Sequence, residues 1–122
     1  MTDQEDRARG LQAWRDVMGA DAPPIADPFM EFTADHVFGR VWTRPGLTTR
    51  DRRLITLTTV AISGAQAALA VHLGAAYRSG DLTLDELDEW VVHLAHYAGW
   101  PMATTAYLAL GALRAEVDAD TE

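Results

Sequence analysis

The chain carries a helical hydrophobic period almost from end to end, and this excludes most architectures before any motif is considered. Strict alternation of β-branched or aromatic residues with polar ones, the mark of a half-buried strand, is missing. The one ambiguous stretch, Leu54 to Ile62, is Thr-rich, but it lies inside a longer segment with helix-like flanks and reads as helix. Gly and Pro punctuate the periodic segments. A first helix covers about Asp3 to Met18 and stops at Gly19, before the link Asp21-Ala22-Pro23-Pro24. Asp27-Pro28 supplies an N-cap and a Pro at the first helical position, opening a helix through Phe29, Phe32, His36, Val37 and Val41. The segment Trp42 to Leu47 breaks it, and Thr48 or Thr49 caps a third helix to about Ile62. After Ser63-Gly64 comes an Ala-rich helix from about Ala65 to Arg78, closed by Gly80. Thr83-Leu84-Asp85-Glu86 has capping-box spacing and starts a helix to about Ala98. Pro101 starts a last one to about Val117, leaving Asp118 to Glu122 as an acidic end expected to fray.

The expected fold class is therefore all-α: a single domain of five to six helices, since 122 residues give room for one domain and not two. Its organisation reads as an N-terminal helix and linker over 1–25, a helical domain over 26–117 and an acidic tail over 118–122. Composition narrows the function. No cysteine is present, which removes disulfides, thiolate metal sites and thiol redox chemistry. Eighteen Asp and Glu stand against ten basic residues, a net charge of -8 that argues against nucleic acid or an anionic membrane as partner. The N-terminus has no apolar signal core, and no run reaches the roughly 18 to 20 apolar residues of a membrane span. The expected location is the cytoplasm.

At 100° per residue the helix faces single out a few groups. His72 shares a face with Ala65, Ala68, Leu69, Ala75 and Ala76. It is either a hydrogen-bonded core histidine or the one titratable group in a recess among small side chains. On the following helix Leu84, Leu87, Val91, Leu94 and Ala98 lie on one side; His93, His96, Glu86 and Glu89 lie on the other. His93 and His96 are surface neighbours three apart, but they lack the i, i+4 pair with intervening Glu that makes a helical zinc motif, so no metal is expected. This face is either solvated, covered by association of copies, or part of a site between helices. Five of the ten basic residues, Arg40, Arg44, Arg50, Arg52 and Arg53, crowd around a Pro-Gly turn and a helix start. Guanidinium forks beside a helix N-terminus suit a carboxylate; the alternative is pairing with the surplus Asp and Glu. There is no phosphate-binding Gly-rich loop and no G-x-S-x-G elbow.

Three blocks in order carry a family resemblance across about Phe29 to Leu110. Phe38 to Leu47, followed by Arg50 to Leu57, resembles the W-x-R-P-G-L-x-x-[RK]-x-R-S-L-x-x-L region of the carboxymuconolactone decarboxylases. Gly64 to Gly80 resembles that family's L-x-x-H-x-x-A-A-x-x-x-G element, and Leu84 to Pro101, with Tyr97, Gly99 and Pro101, its Y-x-G-x-P element. The resemblance implies an alkylhydroperoxidase D-like (AhpD-like) helical fold, assembled as trimers of dimers or similar rings with sites at subunit contacts. It implies relatives of two kinds, cofactor-free decarboxylases of a carboxylated lactone and thiol-dependent hydroperoxidases. The C-x-x-C pair of the second kind falls here on Ala65 and Ala68, so that chemistry is excluded. The G-R-E-E-E-L-x-x-H of the first kind reads here Gly64-Ala65-Gln66-Ala67-Ala68-Leu69-Ala70-Val71-His72; the Glu usual in G-E-I-W is Arg40. His93 stands where relatives often carry Gln, and His96 where they carry an apolar residue.

These departures set the expected function. Losing a carboxylate as carbon dioxide requires that it stay ionised, that the resulting enolate be stabilised and that a proton reach carbon. The chain is expected to be a cofactor-independent decarboxylase-like lyase or isomerase acting on a small cyclic carboxylate. Its expected catalytic residues are His72, as acid/base, with His93 and His96 replacing the lost Glu side chains. Its expected substrate-binding residues are Arg44, as anion holder, with Arg40, Trp42 and Arg52. A cyclase or proton-transfer enzyme of natural-product biosynthesis and a non-catalytic oligomeric binding protein are the alternatives. No cofactor is expected. The expected partners are a small anionic or cyclic substrate and further copies of the chain, as a trimer or hexamer.

Overall fold

A computed structural model describes residues 3–121, and among them every regular element is helical. The order is α1 (Asp3–Met18), α2 (Pro28–Phe32) continued by a π-helical segment (Thr33–Val41), α3 (Thr49–Ser63), α4 (Gln66–Arg78), α5 (Leu84–Ala98) and α6 (Trp100–Asp120). The chain forms two compact units, one reaching Arg52 and the other starting at Arg53.

In the first unit the cap at Asp27 is as the sequence dictates: its Oδ1 accepts from the Met30 N–H at 2.9 Å, and Pro28 follows at the first helical position. The π-helical continuation is not signalled by the hydrophobic period. Wide i→i+5 turns usually occur as single-turn bulges; here nine residues adopt them, and the Trp42 N–H still reaches the Val37 carbonyl at 3.0 Å. This segment buries Ala34, Phe38 and Gly39 and packs against α1. The two backbones meet at glycines: a Cβ on Gly10 would overlap the Ala34 carbonyl, and one on Gly39 would stand 3.0 Å from the Asp6 carbonyl oxygen. Ala13, Val17 and Phe38 form the small core, with Trp14 stacked at a tilt on Phe38, their ring centroids 4.7 Å apart. Ion pairs from Arg7 to Asp35 and from Arg40 to Asp6 tie the two helices.

In the second unit the core is built from one stripe of each helix: Leu57 and Ala61 of α3, Leu69, Leu73 and Ala76 of α4, Leu87, Trp90 and Leu94 of α5, and Ala106, Leu110 and Leu113 of α6. The indole of Trp90 donates to Thr58 Oγ1 at 3.0 Å, which satisfies the one polar atom of that buried ring. Thr83 and Glu86 complete the capping box: Glu86 N–H donates to Thr83 Oγ1 at 3.1 Å, and Thr83 N–H to Glu86 Oε1 at 3.0 Å. Thr83→Ala should therefore lower unfolding stability by about 1 kcal/mol in urea titration, because the Glu86 N–H loses the hydroxyl that satisfies it. Gly99, at φ +98°, is both the end of α5 and the entry to α6, a backbone conformation that side chains disfavour. The last helix does not fray at Val117; it continues to Asp120.

Candidate functional site

His72 lies on α4, half-buried, on the face that also carries the buried Leu69, Ala75 and Ala76. Its Nδ1 is buried and has no hydrogen-bond partner, so it is not the satisfied core histidine that the apolar face alone would suggest. Burial, and after it the positive charge of Arg53, hold the imidazole below its ordinary value of 6.5. Arg53 is fully buried on α3; its Nε donates to Asp81 Oδ2 at 3.2 Å. Burial pushes the guanidinium below its usual value and Asp81 opposes that shift; the group stays a cation. A sequence signal for this residue exists: Arg53, Leu57 and Ala61 recur every four residues along α3, and all three are buried. Its place in a basic cluster hides this burial, and nothing in the sequence marks Asp81, just after the Gly80 turn.

His93 and His96 occupy the exposed face of α5, as the helical period requires. His93 stacks on Tyr97, ring centroids 4.9 Å apart and planes 19° from parallel. The Nδ1 of His96 lies 2.7 Å from the Val92 carbonyl oxygen, and the ring meets Trp100 edge-on at 5.5 Å. Since a carbonyl can only accept, that nitrogen carries the proton in the neutral ring and leaves Nε2 as an acceptor. His96 lines an apolar groove of 430 Å³ between α5 and α6, with Val91, Val92, Trp100, Thr104 and Tyr107 among its walls. Of the aromatic neighbours of these two histidines, Tyr97 belongs to α5 and Trp100 opens α6; the charge acting on His72 comes from Arg53. Among the described residues no group of three or more His, Asp or Glu is gathered in a way that could hold a metal ion.

The four residues expected to bind substrate are in the first unit, and they differ. Arg40 Nη2 donates to Asp6 Oδ2 at 2.6 Å, and this hydrogen bond keeps the Asp6 carboxyl below its usual range. Trp42 stacks on Phe38 with ring centroids 6.5 Å apart, as part of the small core. Arg52 Nη2 donates to the Arg44 carbonyl at 3.1 Å, which braces the turn from Trp42 to Leu47. Arg44 itself is exposed and makes no side-chain hydrogen bond or ion pair among the described residues. Sequence spacing grouped the four, but the partner of Arg40 comes from a helix 34 residues away in the chain.

All-helical among its described residues and without a cysteine, the chain has the architecture of an AhpD-like protein that lacks the thiol pair. Residues 27–112 match the carboxymuconolactone decarboxylase family, and the chain belongs to that family. It is 31% identical over 114 residues to the 4-carboxymuconolactone decarboxylase of Acinetobacter baylyi, covering 87% of this chain and 84% of that protein. It is 32% identical over 107 residues to the nitrosuccinic acid decarboxylase npaB of Metarhizium robertsii, covering 81% of this chain and 74% of that one. Among the described residues no helix is long and apolar enough to cross a membrane.

Proposed function

We propose that this chain is a cofactor-independent decarboxylase of a small, cyclic or similarly compact carboxylate whose departing carbon dioxide leaves its electron pair next to an electron-withdrawing group. The observation that carries the reading is His72: a half-buried imidazole with an unpartnered Nδ1, held neutral by its surroundings, in a family whose two relatives above are both decarboxylases. In the reaction the bond to the carboxyl carbon breaks, its electrons move onto the neighbouring carbon and into the attached carbonyl or equivalent group, and that carbon takes a proton. A neutral imidazole supports this step by stabilising the new oxyanion or by moving the proton. A positive charge fixed in the same unit, Arg53, favours the anionic intermediate.

The roles are assigned unit by unit. In the first unit Arg44 is the carboxylate-holding cation, because it is the exposed arginine of the turn whose side chain is not already committed. Arg40 is tied to Asp6, and Arg52 serves the turn. Arg44→Ala should raise KM about tenfold or more while kcat falls less, the loss of one charge-assisted contact of about 1.5 to 3 kcal/mol. An unchanged KM removes Arg44 from substrate binding. His93 and His96, exposed on α5, are assigned to the site as supporting acid/base groups. The exposed Tyr97, Trp100, Tyr107 and Leu108 beside them support self-association, which sedimentation of the purified protein would measure.

The test of the reading is carbon dioxide release by the purified protein from a panel of small carboxylates that includes 4-carboxymuconolactone and nitrosuccinic acid. Release that depends on His72 is expected for at least one. Absence of release across the panel, or release that persists unaltered in His72→Ala, ends the proposal.

A further inference from the structure

Between α5 and α6, which meet at Gly99, the fold leaves the partly open groove of 430 Å³ that His96 lines, a size usual for small-molecule sites. Its walls are mainly apolar, and among the described residues they hold no Arg, Asp or Glu, so a charged ligand would lose its hydration there without meeting a counter-ion. Trp100 and Tyr107 stay 64% and 65% exposed, a broad aromatic surface for a flat ring to cover. The polar groups on the same walls are unequal in what they offer. His96 Nδ1, 2.7 Å from the Val92 carbonyl oxygen, carries the proton of the neutral ring and leaves Nε2 a bare acceptor. The Thr104 hydroxyl spends its proton on the Trp100 carbonyl at 2.8 Å and keeps only lone pairs. Both bonds lie within a single helix, from one turn to the preceding one, so the helix geometry itself sets these polarities. Two acceptors call for a donor, while the Trp100 indole N–H and the Tyr107 hydroxyl suit a ligand oxygen that also accepts. A neutral, planar molecule whose one oxygen does both is a phenol. A carboxylate, which only accepts, would meet His96 and Thr104 lone pair to lone pair.

We propose that the α5–α6 groove is a binding site for a small, uncharged hydroxy-aromatic molecule, its ring laid against Trp100 and Tyr107 and its hydroxyl donated to His96 Nε2. The ring supplies the affinity by covering exposed aromatic and apolar surface, and the hydroxyl supplies the selectivity by satisfying the acceptors. Both helices belong to one compact unit, so the walls are in place before the ligand arrives and little ordering opposes binding. The site goes beyond the decarboxylase reading and does not depend on it, since it selects against the carboxylate on which that reaction acts. It gives His96 a ligand of its own: the lone pair that would take a proton in an acid/base role here takes a hydrogen bond.

The experiment titrates the full chain, in mildly alkaline buffer, with p-cresol, with 4-methylanisole and with 4-methylbenzoate. The Trp100 indole and the His96 imidazole are followed by 15N–1H NMR, each assigned by its loss in Trp100→Phe and His96→Phe. p-Cresol should move both signals saturably, with the unprotonated Nε2 resonance shifting upfield as it accepts a hydrogen bond. 4-Methylanisole, nearly the same shape without the donor, should bind about 3- to 10-fold more weakly, the loss of one neutral hydrogen bond. 4-Methylbenzoate should leave both signals unmoved. His96→Phe keeps an apolar wall and removes the acceptor, and should erase the preference for p-cresol over 4-methylanisole. Equal binding of those two by the wild type, a response to 4-methylbenzoate that matches or exceeds that to p-cresol, or a preference that survives in His96→Phe overturns the proposal. So do Trp100 and His96 signals that p-cresol does not move, the result expected if a second copy of the chain fills the groove. The readout is binding and not turnover, so failure of the decarboxylase reading and failure of this one are separate results.

Discussion

Replacing His72 by alanine should cut decarboxylation by about 10²- to 10⁴-fold in kcat/KM, the range lost when a positioned proton donor or acceptor is removed. The fall should appear mainly in kcat, since the interaction strengthens as charge develops and is weak in the ground state. A glutamine at the same position is the informative companion. Its side-chain N–H₂ reaches roughly where Nε2–H of histidine does, so His72→Gln should retain more activity than His72→Ala if the imidazole donates, and no more if it acts as a base. The pH profile supplies a third reading. Burial and Arg53 lower the His72 value below 6.5, so the neutral ring persists into acid where an ordinary histidine would be half charged. The acid limb of activity should therefore lie below 6.5. The stability sign agrees: the unfolded chain binds the proton more readily, so the contribution of neutral His72 is complete above its unfolded value and is lost as pH falls through the lower folded one. An acid limb at or above 6.5 would sink both statements.

The parts of this molecule that were legible in the sequence are those decided within a few residues of chain. Asp27-Pro28 and Thr83 to Glu86 place two helix starts because a cap and the N–H groups it satisfies are three residues apart. The stripe Leu87, Leu94 and the half-buried Leu84, Val91 and Ala98 follows from 100° per residue, and so does the exposure of His93 and His96 opposite it. What was not legible depends on groups far apart in the chain. The π-helical turns from Thr33 to Val41 leave the same residues apolar that an α-helix would, so the period does not tell the two apart. The crowding of five arginines points to Arg40 as a substrate-binding residue; that it pairs with Asp6, supplied by α1, is not readable from that crowding. Arg53 shares that cluster in sequence and is nevertheless the most deeply buried of it, as fully covered as Leu57 one helical turn on. The position of His72 on an apolar face was readable; the solitary state of its Nδ1 was not, since the absence of a partner is a property of everything that packs around it.

The closest approach in the first unit leads to the largest expected loss of stability. Gly10 faces the Ala34 carbonyl so tightly that a Cβ there would overlap the oxygen, and a backbone carbonyl cannot rotate aside as the end of a long side chain can. Gly10→Ala must therefore push α1 away from the π-helical segment. That separation would loosen the packing of Ala13, Val17 and Phe38 and stretch the pairs Arg7–Asp35 and Arg40–Asp6. Overpacking of this kind costs about 1 to 3 kcal/mol and occasionally more, and with a backbone group as the obstacle the upper end is expected. Propensity alone points the other way, since alanine is favoured over glycine inside a helix by about 1 kcal/mol. Gly111 provides the contrast: it lies in α6, exposed, with nothing within 4 Å of an added Cβ. Gly111→Ala should stabilise by about 0.5 to 1 kcal/mol, by restricting the unfolded chain and improving the helix. Thermal melts of the two variants followed by circular dichroism should thus shift in opposite directions, with Gly10→Ala also losing the Trp14 environment in its fluorescence. Equal and favourable shifts would mean that α1 yields to the added methyl at no cost, and that the glycine contact is not what brings the two helices so close.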